Sequence, residues 1–173
     1  MQADLTHGGR GADEEDAESH QFLTFSLAQD CFALGIANIR EIIRNASLAN
    51  VPLMPQHIRG VLNLRGAVVP VIDLAVLFER APIAINKRTS IIVIEIVDAG
   101  EPMEIGIMVE AVAAVIDIAP ERIEAAPSFG TPVRAEFIDG IGKLDDGFVI
   151  ILNAQATFSL SRMAPAEDTA GVA

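Results

Sequence analysis

Four kinds of side chain in this sequence could do chemistry: the guanidinium of Arg65, the thiol of Cys31, three scattered histidines, and carboxylates such as Asp73 and Asp139. Acyl transfer needs a nucleophile, a base and an orienting group. Cys31 and the histidines stand in none of the local contexts that supply them, and a small thiol on an apolar strand is inert. Phosphoryl transfer needs a Gly-rich phosphate loop with its lysine, and the sequence has none. Asp73 and Asp139 could pair, but each reads better as a cap or turn residue. His57 has no second His, Cys or acid at ligand spacing, so neither a metal nor another cofactor is expected. Arg65 remains. Its five donors form a rigid fork suited to a carboxylate or a row of backbone carbonyls on a partner; the alternative is a surface charge whose stem covers apolar neighbours.

The elements that must position Arg65 lie in Ile58–Leu74, reading IRGVLNLRGAVVPVIDL. Two β-rich runs meet at Asn63-Leu64-Arg65-Gly66, the signature of a hairpin with Arg65 at its tip or shoulder. Upstream, alternation over Gln21–Leu27 predicts a strand, Gln29-Asp30 a turn, and Cys31–Ile36 the returning strand. Asn38 can cap a short helix with Ile39, Ile42 and Ile43 on one face and Glu41 on another. Leu48–Val51 reads as a short strand, and Pro52 and Pro55 enforce an extended or turned segment. Downstream, Asp73 caps a helical turn, and Ile91–Val97 and Met103–Val109 form a hairpin across Asp98-Ala99-Gly100. A further strand runs to Ile118, and Pro120–Glu124 predicts one helical turn. The last hairpin joins Phe137–Leu144 to Phe148–Leu152 across Asp145-Asp146-Gly147, and Asn153 caps a short C-terminal helix reaching Leu160. Short strands at this spacing predict an all-β barrel or pair of barrels.

Hydrophobic residues make up 51% of the chain with only 5% aromatic and no Trp or Tyr, so the core must be aliphatic. No apolar run is long enough to span a bilayer, and the acidic first residues do not resemble a secretory signal; a cytoplasmic protein without membrane insertion is expected. The net charge of −12, with no cluster of Lys and Arg evident in the sequence, and the lack of stacking aromatics argue against nucleic acid as a partner. Residues 1–20, with six acids against Arg10, predict a disordered tail, and 161–173 a flexible one.

The run Pro55-x-x-x-x-Gly60-x-x-Asn63-x-Arg65-Gly66-x-x-x-Pro70-Val71-x-Asp73-Leu74 resembles the signature of CheW, the chemotaxis coupling protein family. IANIREIIR, GIMVEAVAAVIDI and the linker AAPSFG (Ala125–Gly130) also resemble family segments, with Glu110 where the family usually has Asp. The resemblance covers 21–160 and implies two intertwined five-stranded SH3-like β-barrels around a shared core. It implies a scaffold without catalysis, coupling the signalling tip of methyl-accepting chemoreceptors to the regulatory domain of the histidine kinase CheA. Ile36, Glu41, Ile42, Gly60, Asn63, Arg65 and Val109 match the family's receptor-contacting positions. The output could be flagellar, twitching or another chemosensory pathway, and a small-barrel peptide-binding module is the alternative.

Overall fold

The computed structural model describes residues 20–127 and 133–159. The expected tails, apart from His20, and the Ser128–Gly130 part of the linker lie outside the described residues. Strands β1 (Gln21–Leu27) and β2 (Asp30–Gly35) form the first hairpin. Its turn is Ala28-Gln29, at φ 51° and 74°, a backbone whose twist matches that of the flanking strands. The turn falls one residue before the expected Gln29-Asp30, because Asp30 already pairs with Leu27. A 3-10 turn, Ile36–Asn38, ends β2 one residue short of the predicted Ile36.

The helix expected after Asn38 is instead strand β3 (Ile39–Arg44). Its burial alternates: Ile39, Glu41 and Ile43 are half-buried, while Arg40, Ile42 and Arg44 are exposed. Three isoleucines fit a pleated surface well, and the open edge of the strand Ser90–Asp98 takes up the backbone of this segment. The strand predicted at Leu48–Val51 reduces to a single bridge, Ala49↔Val61.

The central hairpin is β4 (Ile58–Leu64) and β5 (Ala67–Asp73), followed by α1 (Leu74–Leu77) with Asp73 as its cap. Strands β6 (Ser90–Asp98) and β7 (Glu101–Val109) turn through Ala99-Gly100. After β8 (Ala111–Asp117), the expected helical turn spans Pro120–Arg122 and leads into β9 (Ile123–Glu124). The final hairpin, β10 (Ile138–Leu144) and β11 (Gly147–Leu152), ends in α2 (Ala154–Phe158), capped by Asn153. No helix among the described residues is long and apolar enough to cross a membrane.

The protein is mainly β, with two sheets ordered β8-β1-β2-β11-β10-β9 and β3-β6-β7-β5-β4. The short β9 raises the first from the five strands expected to six. The second sheet is a contiguous run, β3 to β7, inserted between β2 and β8 of the first, so the halves are intertwined. Their terminal hairpins are structural repeats. Residues correspond at their own number plus 80: Ile58 with Ile138, Gly60 with Gly140, Leu64 with Leu144, Asp73 with Asn153, Phe78 with Phe158. Both hairpins shift register at the same place, Ile58/Gly60 and Ile138/Gly140. There the neighbouring edge segment crosses closely: a β-carbon on Gly60 would lie 2.7 Å from the Ala49 carbonyl oxygen, and one on Gly140 2.6 Å from Ile123 Cγ2.

One apolar core lies between the sheets, joining Leu23, Phe25 and Leu34 of the first to Val71, Ile92, Ile94 and Ile107 of the second. It is mostly aliphatic, as the composition requires, with a chain of rings through it: Phe25–Phe32, Phe32–Phe78 and Phe78–Phe137, with centroids 5.9, 5.6 and 6.3 Å apart. Each such buried side chain contributes about 1.5–3 kcal/mol relative to exposure. Polar ties also cross between the halves. Arg80 pairs with Asp30 at 3.2 Å, and the Gln155 amide meets both the N–H and the carbonyl of Val97, extending the edge of β6 as a strand would.

Asp73 has no exposed surface. Its Oδ1 accepts from the N–H groups of Ala75 and Val76 at 2.9 and 3.3 Å, and its Oδ2 from Arg59 Nη1 at 2.6 Å and the Ile83 N–H at 3.0 Å. Asp73→Ala should lower stability by about 3–5 kcal/mol, because Arg59 loses its counter-charge and α1 its cap. Urea unfolding checks this, with the exposed pair Lys143–Glu124 as a control: Lys143→Ala should cost less than about 1 kcal/mol. His57 Nε2 is buried without a hydrogen-bond partner, and burial pushes the imidazole below its ordinary pKa. The unfolded chain therefore takes up this proton more readily, so the contribution of His57 is complete above its ordinary pKa and is lost as pH falls toward the folded value. Between about pH 7.5 and 5.5, the Tm of the native chain should fall further than that of His57→Leu. Equal falls would acquit His57.

Candidate partner-binding face

Arg65 and Gly66 are the two central residues of the β4–β5 turn, at φ 52° and 85°. A non-glycine residue held there costs about 1–2 kcal/mol, and two local bonds support it. The Gly66 N–H donates to Asn63 Oδ1 at 3.2 Å, closing the turn from within. Arg65 Nη1 donates to Glu41 Oε1 at 2.6 Å, tying the tip to the edge strand β3. Arg65 remains 65% exposed, so most of its fork faces solvent. The Glu41 hydrogen bond and charge, with a smaller contribution from Glu104, hold its pKa above the ordinary value; the tip carries a permanent positive charge.

The hairpin and the edge strand each expose an aliphatic side chain. Ile42, next to Glu41 on β3, is exposed, and so is Val68, at 70%. Val68 lies across from Asn63 in the hairpin register. The sequence reading omitted Val68, although alternation gave the signal: Val69 and Val71 are buried, which turns Val68 outward. Ile36 is half-buried in the turn that feeds β3. Gly60 and Val109 belong to a different layer. Gly60 is buried beneath Ala49, and Val109, with no exposed surface, ends β7 opposite Ser90. The structure thus joins Arg65 to Glu41 and Asn63 at the tip, with Ile42 exposed on the face of β3 opposite to Glu41, while Gly60 lies buried down β4 and Val109 sits at the end of β7 away from the tip.

The catalytic candidates do not converge. Asp73 is consumed by its four donors, while Asp139, expected in a turn, lies within β10 of the other sheet and accepts from Asn153 Nδ2 at 2.9 Å. Cys31 is half-buried; burial, and then the negative charge of Asp146, push its thiol up and disfavour the reactive thiolate. Among the described residues, no group of three or more His, Cys, Asp and Glu could hold a metal ion.

Comparison with known proteins decides the family. The CheW-like domain matches residues 21–162. The chain belongs to the CheW-like family. It is 30% identical over 150 residues to the chemotaxis protein CheW of Klebsiella aerogenes, covering 87% of this chain and 88% of that one. It is 31% identical over 142 residues to the Helicobacter pylori chemotaxis protein CheW, covering 82% and 83%. The crystal structure of the scaffolding protein TtCheW from Thermoanaerobacter tengcongensis matches with a TM-score of 0.72 and 34% identity, covering 82% of this chain and 88% of that one. CheW-like membership makes this chain a chemotaxis adaptor, and the two-sheet architecture is that of the solved scaffold.

The two layers predict different mutational behaviour. Gly60→Ala should cost about 1–3 kcal/mol through its clash with the Ala49 carbonyl. Arg65→Ala should change stability by less than about 1 kcal/mol, its ion pair being solvent-exposed. Denaturant midpoints of the two variants separate framework from surface.

Proposed function

We propose that this chain couples chemoreceptors to the histidine kinase CheA without catalysing a reaction, working in the cytoplasm through residues 21–160. The observation that carries the reading is the Arg65–Glu41 pair: an exposed, strained hairpin tip held to an edge strand, with Val68 exposed on the same hairpin and Ile42 exposed on the outer face of that edge strand. A charge set in an aliphatic surround is the composition of a protein-binding face, with the guanidinium as polar anchor. The receptor's helical signalling tip is the proposed occupant, laid against Ile42 and Val68 with its polar groups meeting Arg65 and Asn63. Glu41 orients Arg65, while Ile36, Gly60 and Val109 belong to the framework of the sheet that carries it. The regulatory domain of the kinase is proposed to dock elsewhere on the barrels.

The test is a titration of the chain, native and Arg65→Glu, against a receptor signalling-tip fragment and, separately, the CheA regulatory domain. The substitution places a carboxylate against Glu41 and should weaken the receptor fragment about tenfold or more, equivalent to about 1.4 kcal/mol. Kinase binding and thermal unfolding should stay near native. Loss of both partners together with a lowered Tm would make Arg65 a structural residue, and binding of neither partner by the native chain would remove the coupling reading.

A further inference from the structure

Near the hairpin tip, strand register brings a third carboxylate onto the face that carries Glu41. Glu41 of β3 lies opposite Val93 of β6, Val93 lies opposite Gly106 of β7, and Glu95, two residues on, lies opposite Glu104. Opposite residues share a face, as do residues two apart along a strand, so Glu41, Glu95 and Glu104 stand on one face of three successive strands. Carboxylates placed directly opposite each other, as Glu95 and Glu104 are, repel. Arg40 answers Glu95, and Arg65 answers Glu41. Glu104, half-buried, has no ion pair among the described residues. β5 runs parallel to β7 with Val71 beside Gly106, so the hairpin carries its Arg65-Gly66 tip toward the half of β7 that holds Glu104. Arg65 is the cation whose charge Glu104 feels, and the attraction adds to what keeps that guanidinium protonated.

We propose that Glu104 is a positioning residue for Arg65: together with Glu41 it cradles the guanidinium between two strands and sets the direction in which the free N–H groups point. One hydrogen bond, from Nη1 to Glu41 Oε1, leaves a long side chain able to turn about that single contact, and Arg65 is otherwise largely in solvent. A second negative charge, on a different strand, restricts that turning without occupying a donor. The orientation is then fixed before a partner arrives, so less side-chain freedom is lost on binding. Glu104 acts only through Arg65. Its consequence for binding rests on Arg65 being the receptor anchor, as proposed above, whereas its hold on the guanidinium exists in the free chain. Removing its charge also relieves the repulsion from Glu95, so a loss of orientation need not come with a loss of stability.

The Arg65 Nε–Hε resonance of the ¹⁵N-labelled full chain, assigned by its loss in Arg65→Ala, reads the cradle without a partner. In Glu104→Gln it should shift, and its heteronuclear NOE should fall as the side chain gains motion. Thermal unfolding should stay at or above the native Tm. Against the receptor signalling-tip fragment, Glu104→Gln should bind about threefold more weakly than the native chain. In the Arg65→Ala background the same substitution should change binding by less than about 1.5-fold, since the two residues act as one unit. An unmoved resonance overturns the proposal, and so does tighter binding, an equal weakening in the Arg65→Ala background, or a loss of affinity in step with a lowered Tm. Native affinity in Arg65→Ala, with the resonance shifted in Glu104→Gln, would remove the anchor reading of Arg65 and leave its positioning by Glu104 standing.

Discussion

A buried carboxylate organises the second sheet. Asp73 brings a full charge to a position with no solvent, and a charge there is tolerable only if it is compensated in full. Four donors do so, and they come from three places: the first turn of α1, the loop at Ile83, and Arg59 on the neighbouring strand. One side chain therefore fixes where the helix starts, where the following loop lies, and how β4 sits on β5. The central hairpin is a rigid stem, and the position of its tip depends on that stem.

The same device recurs 80 residues later with its charges rearranged. Asn153 caps α2 through Oδ1 and donates through Nδ2 to Asp139, so the positions held by Asp73 and Arg59 in one half are held by a neutral amide and a carboxylate in the other. The tips are tethered alike but with reversed sign. Arg65 reaches Glu41 on the edge strand β3, whereas Asp145 reaches Arg122 just ahead of the edge strand β9. A flanking residue stands exposed in each, Val68 in one and Phe148 in the other. Two similar barrel halves thus present a cationic and an anionic tip on one shared framework.

A scaffold of this kind depends on placement rather than reactivity. The thiol that could act as a nucleophile is held protonated by its surroundings, and the carboxylates nearest to catalytic roles are occupied in caps and strand ties. What the surface offers instead is a permanent charge at a strained turn and aliphatic side chains that find no place in the shared core.

Much of this was legible in the sequence because it is local. Turns favour glycine and short polar residues, so Gly66, Gly100 and Asp145-Asp146-Gly147 announced their hairpins, as did the caps Asp73 and Asn153. The tip position of Arg65 followed from the same signals, and the family resemblance rested on this hairpin. IREIIR was different. Its isoleucines satisfy a helical and an alternating pattern equally, and the open edge of β6, a partner about fifty residues away in the chain, decided for a strand. The Arg65–Glu41 pair and the burial of Val109 are likewise products of strand register between distant segments. A residue's own neighbours determine its backbone preference, but which charges meet and which side chains lose their solvent depends on contacts between segments that the chain order keeps apart.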